Sequence, residues 1–238
     1  LNVTTSNDIR DNSLLLDQKY AGLPVPYFIY KNGALVLDES RLKARDESKS
    51  RLLKSLLGRP LNWLRDHVRL VGLIAKSREA FQNYREGQNT GPRSIGDEPG
   101  ITAKVYVEPG DPVWDEAWRV TEGLILLMRD EVRAHGAQFL IVTGSSSIQA
   151  YPNPAVRLDF MRSLGISDLF YPDRRLKTLG ERERIEVLNL ALALQEYADE
   201  NGVFLHGTNG VGHWNVLGHR LVGERVSERL CEIASAKR

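Results

Sequence analysis

The chain contains one cysteine, Cys231, in 238 residues. That excludes an internal disulfide framework and a cysteine-based zinc site. Cys231 lies in a C-terminal helical pattern and is expected to be a small apolar packing residue. Charge of one sign is also lacking: 32 Lys and Arg stand against 31 Asp and Glu, a formal net charge of +1. No global field therefore points to nucleic acid or an anionic membrane, and neither is expected as a partner. Long hydrophobic runs are missing as well, since the most apolar stretch, within "TEGLILLMRDEV", is too short to span a bilayer. Internal repeats and low-complexity tracts are absent. What remains, 42% apolar and 26% charged residues, is the balance of an ordinary globular protein with room for one sizeable core. A single domain over residues 1–238 is expected, with a mobile insertion at about 86–100, where "EGQNTGPRSIGDEPG" carries Gly and Pro without periodicity.

Leu1, Val3 and Thr5 alternate with polar positions, so a strand is expected from the first residue. Domains rarely start inside a strand, and the expectation is a fragment or processed product of something longer. "YFIY", "KNG" and "ALVL" read as a β-hairpin turning at Asn32-Gly33. Residues 49–85 carry helical periodicity. Beyond residue 100 the pattern becomes regular. "DPVWDEAWRVTEGLILLMRDEVRAHGA" is an amphipathic helix between Asp111 and Gly136, and "QFLIVTG" is a buried strand. "PNPAVRLDFMRSLG" reads as a short helix, "ERIEVLNLALALQEYADENG" as one long helix ending at Gly202, and "VFLH" as another buried strand. "NVLGHRLVGERVSERLCEIA" closes the chain as a helix with Leu217, Leu221, Val222, Val226 and Leu230 on its apolar side. This alternation predicts an α/β fold with a parallel sheet between helices.

Functional loops in such sheets gather at the carboxyl ends of the strands. Three segments are expected to converge there: Ser6-Asn7-Asp8, Gly144–Ser147 and His206–His213. His213 is the best general-base candidate, because imidazole exchanges protons near neutrality. Gly207, Gly210 and Gly212 let the backbone turn tightly around it. The competing reading is a histidine that hydrogen-bonds the entry of the last helix. Asn7 could donate to a developing oxyanion, or simply form an Asx turn. His206, His213 and His219 match no zinc-motif spacing, so no metal is expected, and His219 falls inside the final helix. Ser145, Ser146 and Ser147 lack the G-x-S-x-G pattern of a nucleophile elbow, and contact with substrate fits them better than nucleophilic attack. Trp214, beside the helix entry, reads as packing more readily than as pocket lining.

Taken together, "TSNDIRDNS" and "GVGHWNVLGHRL" resemble the third and fifth blocks of the SGNH (GDSL-type) hydrolases. "AHGAQFLIVTG", "AYPNP", "LGISDLFYPDRRL" and "LALALQEYADENGVFLHG" resemble the body of bacterial SGNH hydrolase-type esterases, so the likeness covers nearly the whole chain. It implies a flavodoxin-like three-layer α/β/α sandwich, N-terminally incomplete, that hydrolyses or transfers an acyl group held in an ester. By the resemblance Asn7 is the oxyanion asparagine and His213 the general base of a Ser-His dyad or triad. The substrate would be a small-molecule or carbohydrate acyl ester, and no cofactor is expected.

The chain also departs from that pattern. It has no Gly-Asp-Ser, since "GDEP" and "GDPV" carry the wrong third residue, and the second block with its oxyanion glycine is missing. Thr5 replaces the glycine that opens the third block. Gly210 stands three residues before His213, where the family places its acid. The expectation is a hydrolase body without its serine block, inactive as the isolated chain. The alternative is a non-catalytic binding or interaction module that keeps that body. In the strand order of such folds the first strand here would be an exposed edge, giving possible self-association through it.

Overall fold

The computed structural model describes residues 1–5, 7–16, 25–42, 102–207 and 209–235. The helices expected over 49–85 and the insertion at about 86–100 lie outside them. The chain divides into two compact units. One comprises Leu1–Gln18, Phe28–Val36 and Ser94–Arg238, the other Lys19–Tyr27 and Leu37–Arg93. Within the described part of the second unit, the Arg41 guanidinium lies 5.1 Å from the Tyr27 ring centroid, and the Ser40 amide donates to Asp38 Oδ1 at 2.9 Å.

The first unit begins with strand β1 (Asn2–Thr4) and a single helical turn α1 (Asp8–Asp11). The hairpin follows as expected: β2 (Tyr27–Lys31) and β3 (Ala34–Asp38) are joined at Asn32 (φ 53°) and Gly33 (φ 81°), the left-handed pair a two-residue turn requires. Helix α2 (Pro112–Ala134) starts where the sequence places it. Asp111 accepts from the Val113 and Trp114 amides, and Pro112 needs no amide partner in the first turn. Strand β4 (Leu140–Gly144) and helix α3 (Pro154–Leu164, capped by Asn153) also match expectation.

The next segment differs. Tyr171–Glu183 forms helix α4, for which the sequence reading makes no prediction. The single helix expected over "ERIEVLNLALALQEYADENG" is instead strand β5 (Glu186–Asn189) followed by helix α5 (Ala191–Asn201). Arg184, with φ 54°, ends α4 and turns the chain into β5. Leu188, Leu190, Leu192 and Leu194 recur every second residue, the period of a strand, yet only Glu186–Asn189 pair with β4 and the later leucines lie in or at the start of α5. Strand β5 therefore takes the place expected for "VFLH". Val203–Phe204 are irregular, and His206 makes only an isolated bridge to Trp214. Helix α6 (Val216–Ser235) closes the chain, and Cys231 on it is exposed rather than packed.

The three long-range strands form a parallel sheet in the order β1-β4-β5, with Val3 opposite Thr143 and Val142 opposite Leu188. Apolar clusters lie on both faces. Val3 and Ile141 join Trp114, Trp118 and Ile125 of α2 and Leu176 and Leu179 of α4. Val142 and Leu188 join Leu190, Leu194 of α5, and Leu217 and Leu221 of α6. The result is a mixed α/β fold compatible with a three-layer arrangement. Each fully buried Leu or Ile in these clusters contributes roughly 1.5–3 kcal/mol.

Gly180 sets how closely α4 approaches the sheet. A Cβ there would collide with Val187 Cγ2 and lie 2.8 Å from the Ile185 carbonyl oxygen. Gly180→Ala should cost about 2–3 kcal/mol by overpacking, read as a lower urea midpoint with an unchanged slope.

Candidate functional site at the carboxyl end of the sheet

Three side chains reach the end of β4 at Gly144–Ser145: Thr5, and His206 and Trp214 from the loop before α6. Among the described residues no hydrogen bond joins Asn7 to His213. Thr5 follows β1, is buried, and donates its hydroxyl to the Gly144 carbonyl at 3.2 Å. Beyond it the chain turns sharply: the Asn7 amide donates to the Thr4 carbonyl, and the Thr4 amide to Asp8 Oδ2 at 2.7 Å. Burial raises the Asp8 carboxyl above its ordinary range, partly offset by that amide. Asn7 Nδ2 donates to Asp11 Oδ2 at 3.3 Å, while its Oδ1 is buried with no hydrogen-bond partner among the described residues. The side chain expected to serve an oxyanion is thus held by its own helical turn through one long hydrogen bond.

On the other side of Gly144 lies Trp214. A Cβ on Gly144 would approach the Trp214 ring to 3.2 Å, so glycine here lets the indole lie against the strand end. The indole N–H donates to Ser145 Oγ at 3.1 Å, and the His219 ring meets Trp214 edge-on with centroids 5.7 Å apart. Trp214 is a packing residue, and His219 an exposed helix residue that supports it.

The segment from His206 to Asn215 is a loop pinched at its base. Gly207 N–H donates to the His213 carbonyl, Asn215 N–H to the Leu205 carbonyl, and Gly210 N–H to the His206 carbonyl. Asn215 closes the pinch with its side chain. Its Nδ2 donates to the carbonyls of Phe204 (2.7 Å) and Gly207 (3.0 Å), and its Oδ1 accepts from the Gly218 amide, capping α6. His213 therefore has a fixed backbone and an exposed imidazole that no described residue hydrogen-bonds.

His206 is its opposite. It is 2% exposed, with Nε2 3.2 Å from the Ser145 carbonyl and Nδ1 buried without a partner among the described residues. Burial is the chief cause that pushes its pKa down to about 4. The Ser145 carbonyl opposes the shift, and the nearby His213 adds to it. His206 is a neutral structural anchor near neutrality, whereas the His213 side chain is exposed.

Gly210 has no room for a side chain. Its φ is +83°, and a Cβ would lie 2.5 Å from Tyr151 Cε2 and 2.8 Å from Phe204 Cδ1. Tyr151 and Phe204 pack against each other with centroids 5.4 Å apart. Any side chain at this position would have to displace both rings.

The three serines are buried. Ser146 Oγ accepts from Tyr106 OH at 2.6 Å and donates to Gln149 Oε1 at 3.1 Å. Gln149 Nε2 in turn donates to Asp173 Oδ2 and to the Leu169 carbonyl, while Thr143 Oγ1 donates to Asp173 Oδ1 and lies 3.1 Å from Asn189 Oδ1. A buried polar chain thus runs from Tyr106 to Asn189 beneath the loop after β4. Asp173, 3% exposed, is pushed up to about 6, because loss of hydration outweighs its hydrogen bonds from Thr143 and Gln149. Sequence reasoning missed Asp173 entirely; the one available signal was Thr143, a hydroxyl at the end of an otherwise apolar buried strand.

Among the described residues no group of three or more His, Cys, Asp or Glu could hold a metal ion. No helix among them is long and apolar enough to cross a membrane. Comparisons with protein-family models, curated proteins and solved structures gave no match.

Proposed function

We propose that this chain is the body of an SGNH-type acyl-ester hydrolase or acyltransferase, with His213 as general base and Asn7 as oxyanion donor. The flavodoxin-like three-layer topology belongs to the same reading. The observation that supports it is the exposed His213 on a pinned backbone, at the same carboxyl edge of a parallel sheet as Asn7. In this role His213 takes the proton of a serine hydroxyl as that oxygen attacks the ester carbonyl. It then returns the proton to the departing alcohol. Asn7 Nδ2 exchanges its 3.3 Å bond to Asp11 for the oxyanion. The serine has to come from a Gly-Asp-Ser segment, which these 238 residues do not contain.

The test is hydrolysis of a short-chain aryl ester. The 238-residue chain alone should show no turnover above that of its His213→Ala variant. In a polypeptide that also carries a Gly-Asp-Ser segment, His213→Ala should lower kcat by about a hundredfold or more and Asn7→Ala by a similar factor. Unchanged kcat in His213→Ala would overturn the assignment. A second reading, a non-catalytic binding module, is favoured by the engaged serines and by the blocked acid position at Gly210. It predicts no turnover in either form.

A further inference from the structure

The His206 ring is held beneath the loop that carries His213. Its Nε2 lies 3.2 Å from the Ser145 carbonyl oxygen. A carbonyl only accepts, so Nε2 bears the proton of the neutral ring and Nδ1 bears none. Nδ1 is buried without a partner among the described residues. A second proton would turn Nδ1 into a donor with no acceptor to meet, in a residue that is 2% exposed. The groups around the ring give that proton no help. The loop after β4 faces it with Ser145, which does not titrate. The entry of α6 faces it with His213, which opposes a second charge, and no carboxylate contributes to the shift. His219 packs on Trp214, the bridge partner of His206.

The backbone around the ring forms one closed unit. His206 bridges to Trp214, the Gly207 amide donates to the His213 carbonyl, and the Gly210 amide donates to the His206 carbonyl. Gly207, Gly210 and Gly212 have φ of +49°, +83° and +96°. With no Cβ to strain, these positions let the loop rearrange readily. Strands β4 and β5 pair with each other and not with the loop. Moving the His206 ring into water therefore breaks the amide bonds of the loop and leaves the sheet ladder intact.

We propose that His206 is an acid-operated latch: unprotonated it holds the His206–Asn215 loop closed against Ser145, and protonation shifts the loop to an open state with the ring in water. Opening frees the backbone of His213 and lifts Gly210 from its seat against Tyr151 and Phe204. The latch is independent of the hydrolase reading, because His213 rides on this loop whatever its role. Linkage fixes the direction and the size of the effect. The closed loop holds His206 at a pKa of about 4, against 6.5 for a ring in water. Closure is therefore fully favoured above pH 6.5 and loses ground as pH falls towards 4. The opening equilibrium rises about a hundredfold between pH 7 and 4, towards a limit of about 300-fold. Asp173 also titrates in this range, but its partners are Thr143 and Gln149, away from the loop.

The test is native-state amide exchange of the full 238-residue chain at pH 7, 6, 5 and 4, corrected for the intrinsic rate at each pH. Protection at Gly207 and Gly210 should fall about a hundredfold across the series, while Leu190, bonded to the Thr143 carbonyl of β4, keeps its protection. His206→Gln retains a donor for the Ser145 carbonyl and does not titrate, so it should flatten the profile of both glycines. His213→Gln should keep the step, because His213 only biases it. In the wild type the ring nitrogen signals of His206 should change from singly to doubly protonated as the glycines lose protection. An equal loss at Leu190 would mean general unfolding and would overturn the proposal. So would glycine protection that ignores pH, a step that survives His206→Gln, or a His206 ring that stays singly protonated while the loop opens.

Discussion

Replacing Asp173 with asparagine should make the protein more stable at pH 8, by about 1–3 kcal/mol, although it alters a buried and fully hydrogen-bonded group. Burial raises the Asp173 carboxyl from 3.8 to about 6. A raised pKa means the folded state holds the proton more tightly than the unfolded chain. The associated stability is fully present below pH 3.8 and is lost as pH rises through 6. The whole shift corresponds to about 3 kcal/mol, and side-chain relaxation reduces what a variant recovers. Asparagine mimics the protonated acid. Its Oδ1 can accept from Gln149 Nε2 and its Nδ2 can donate to Thr143 Oγ1. The Thr143 hydroxyl then donates to Asn189 Oδ1, already 3.1 Å away. Asp173→Ala offers no such rearrangement and should lose about 2–4 kcal/mol at pH 4, where the wild-type carboxyl is protonated, but less at pH 8, where it also removes a buried carboxylate.

His206 supplies the contrast that makes the pH profile diagnostic. Its pKa falls from 6.5 to about 4, so its contribution is present above pH 6.5 and is lost as pH falls to 4. Between pH 4 and 6 the two groups act in opposite directions, and the wild-type profile should be nearly flat from this pair. Asp173→Asn leaves His206 unopposed, and its stability should fall on acidification by about 3 kcal/mol. Urea midpoints at pH 8, 6 and 4 decide the matter. A less stable asparagine variant at pH 8 would mean that the carboxylate is favoured in its site.

The sequence made some of this legible because its signals are local. Asp111-Pro112 and Asn153-Pro154 announce the starts of α2 and α3 through one capping oxygen and one proline each. The apolar run ending in Thr143-Gly144 announces β4. The Leu188–Leu194 repeat runs across the junction of β5 and α5, and only pairing with β4 marks where the strand ends. The same limit applies at the candidate site. His213 stands out by its glycine-rich loop, but that Gly210 excludes an acid depends on Tyr151 and Phe204, residues distant in sequence. Asp173 looks like an ordinary acid in the first turn of a helix. Its importance comes from Thr143 and Gln149, which no spacing rule connects to it.

Asn215 is where the fold and the candidate site meet, and its substitution should have the second large effect. Asn215→Ala removes three hydrogen bonds, to Phe204, Gly207 and Gly218, and should cost about 3 kcal/mol at roughly 1 kcal/mol each. Asn215→Asp separates the two roles of the side chain. Aspartate caps a helix as well as asparagine does, so a residue that serves only α6 would tolerate the change. A carboxylate, however, has no proton to give to the carbonyls of Phe204 and Gly207, and would face both with negative charge. The expected order is therefore wild type, then Asn215→Ala, with Asn215→Asp at or below it. Exchange at the Gly207 amide should accelerate in both variants, because that amide closes the base of the loop on the His213 carbonyl. A neutral Asn215→Asp would assign Asn215 to capping alone and leave the placement of His213 to the backbone bridges.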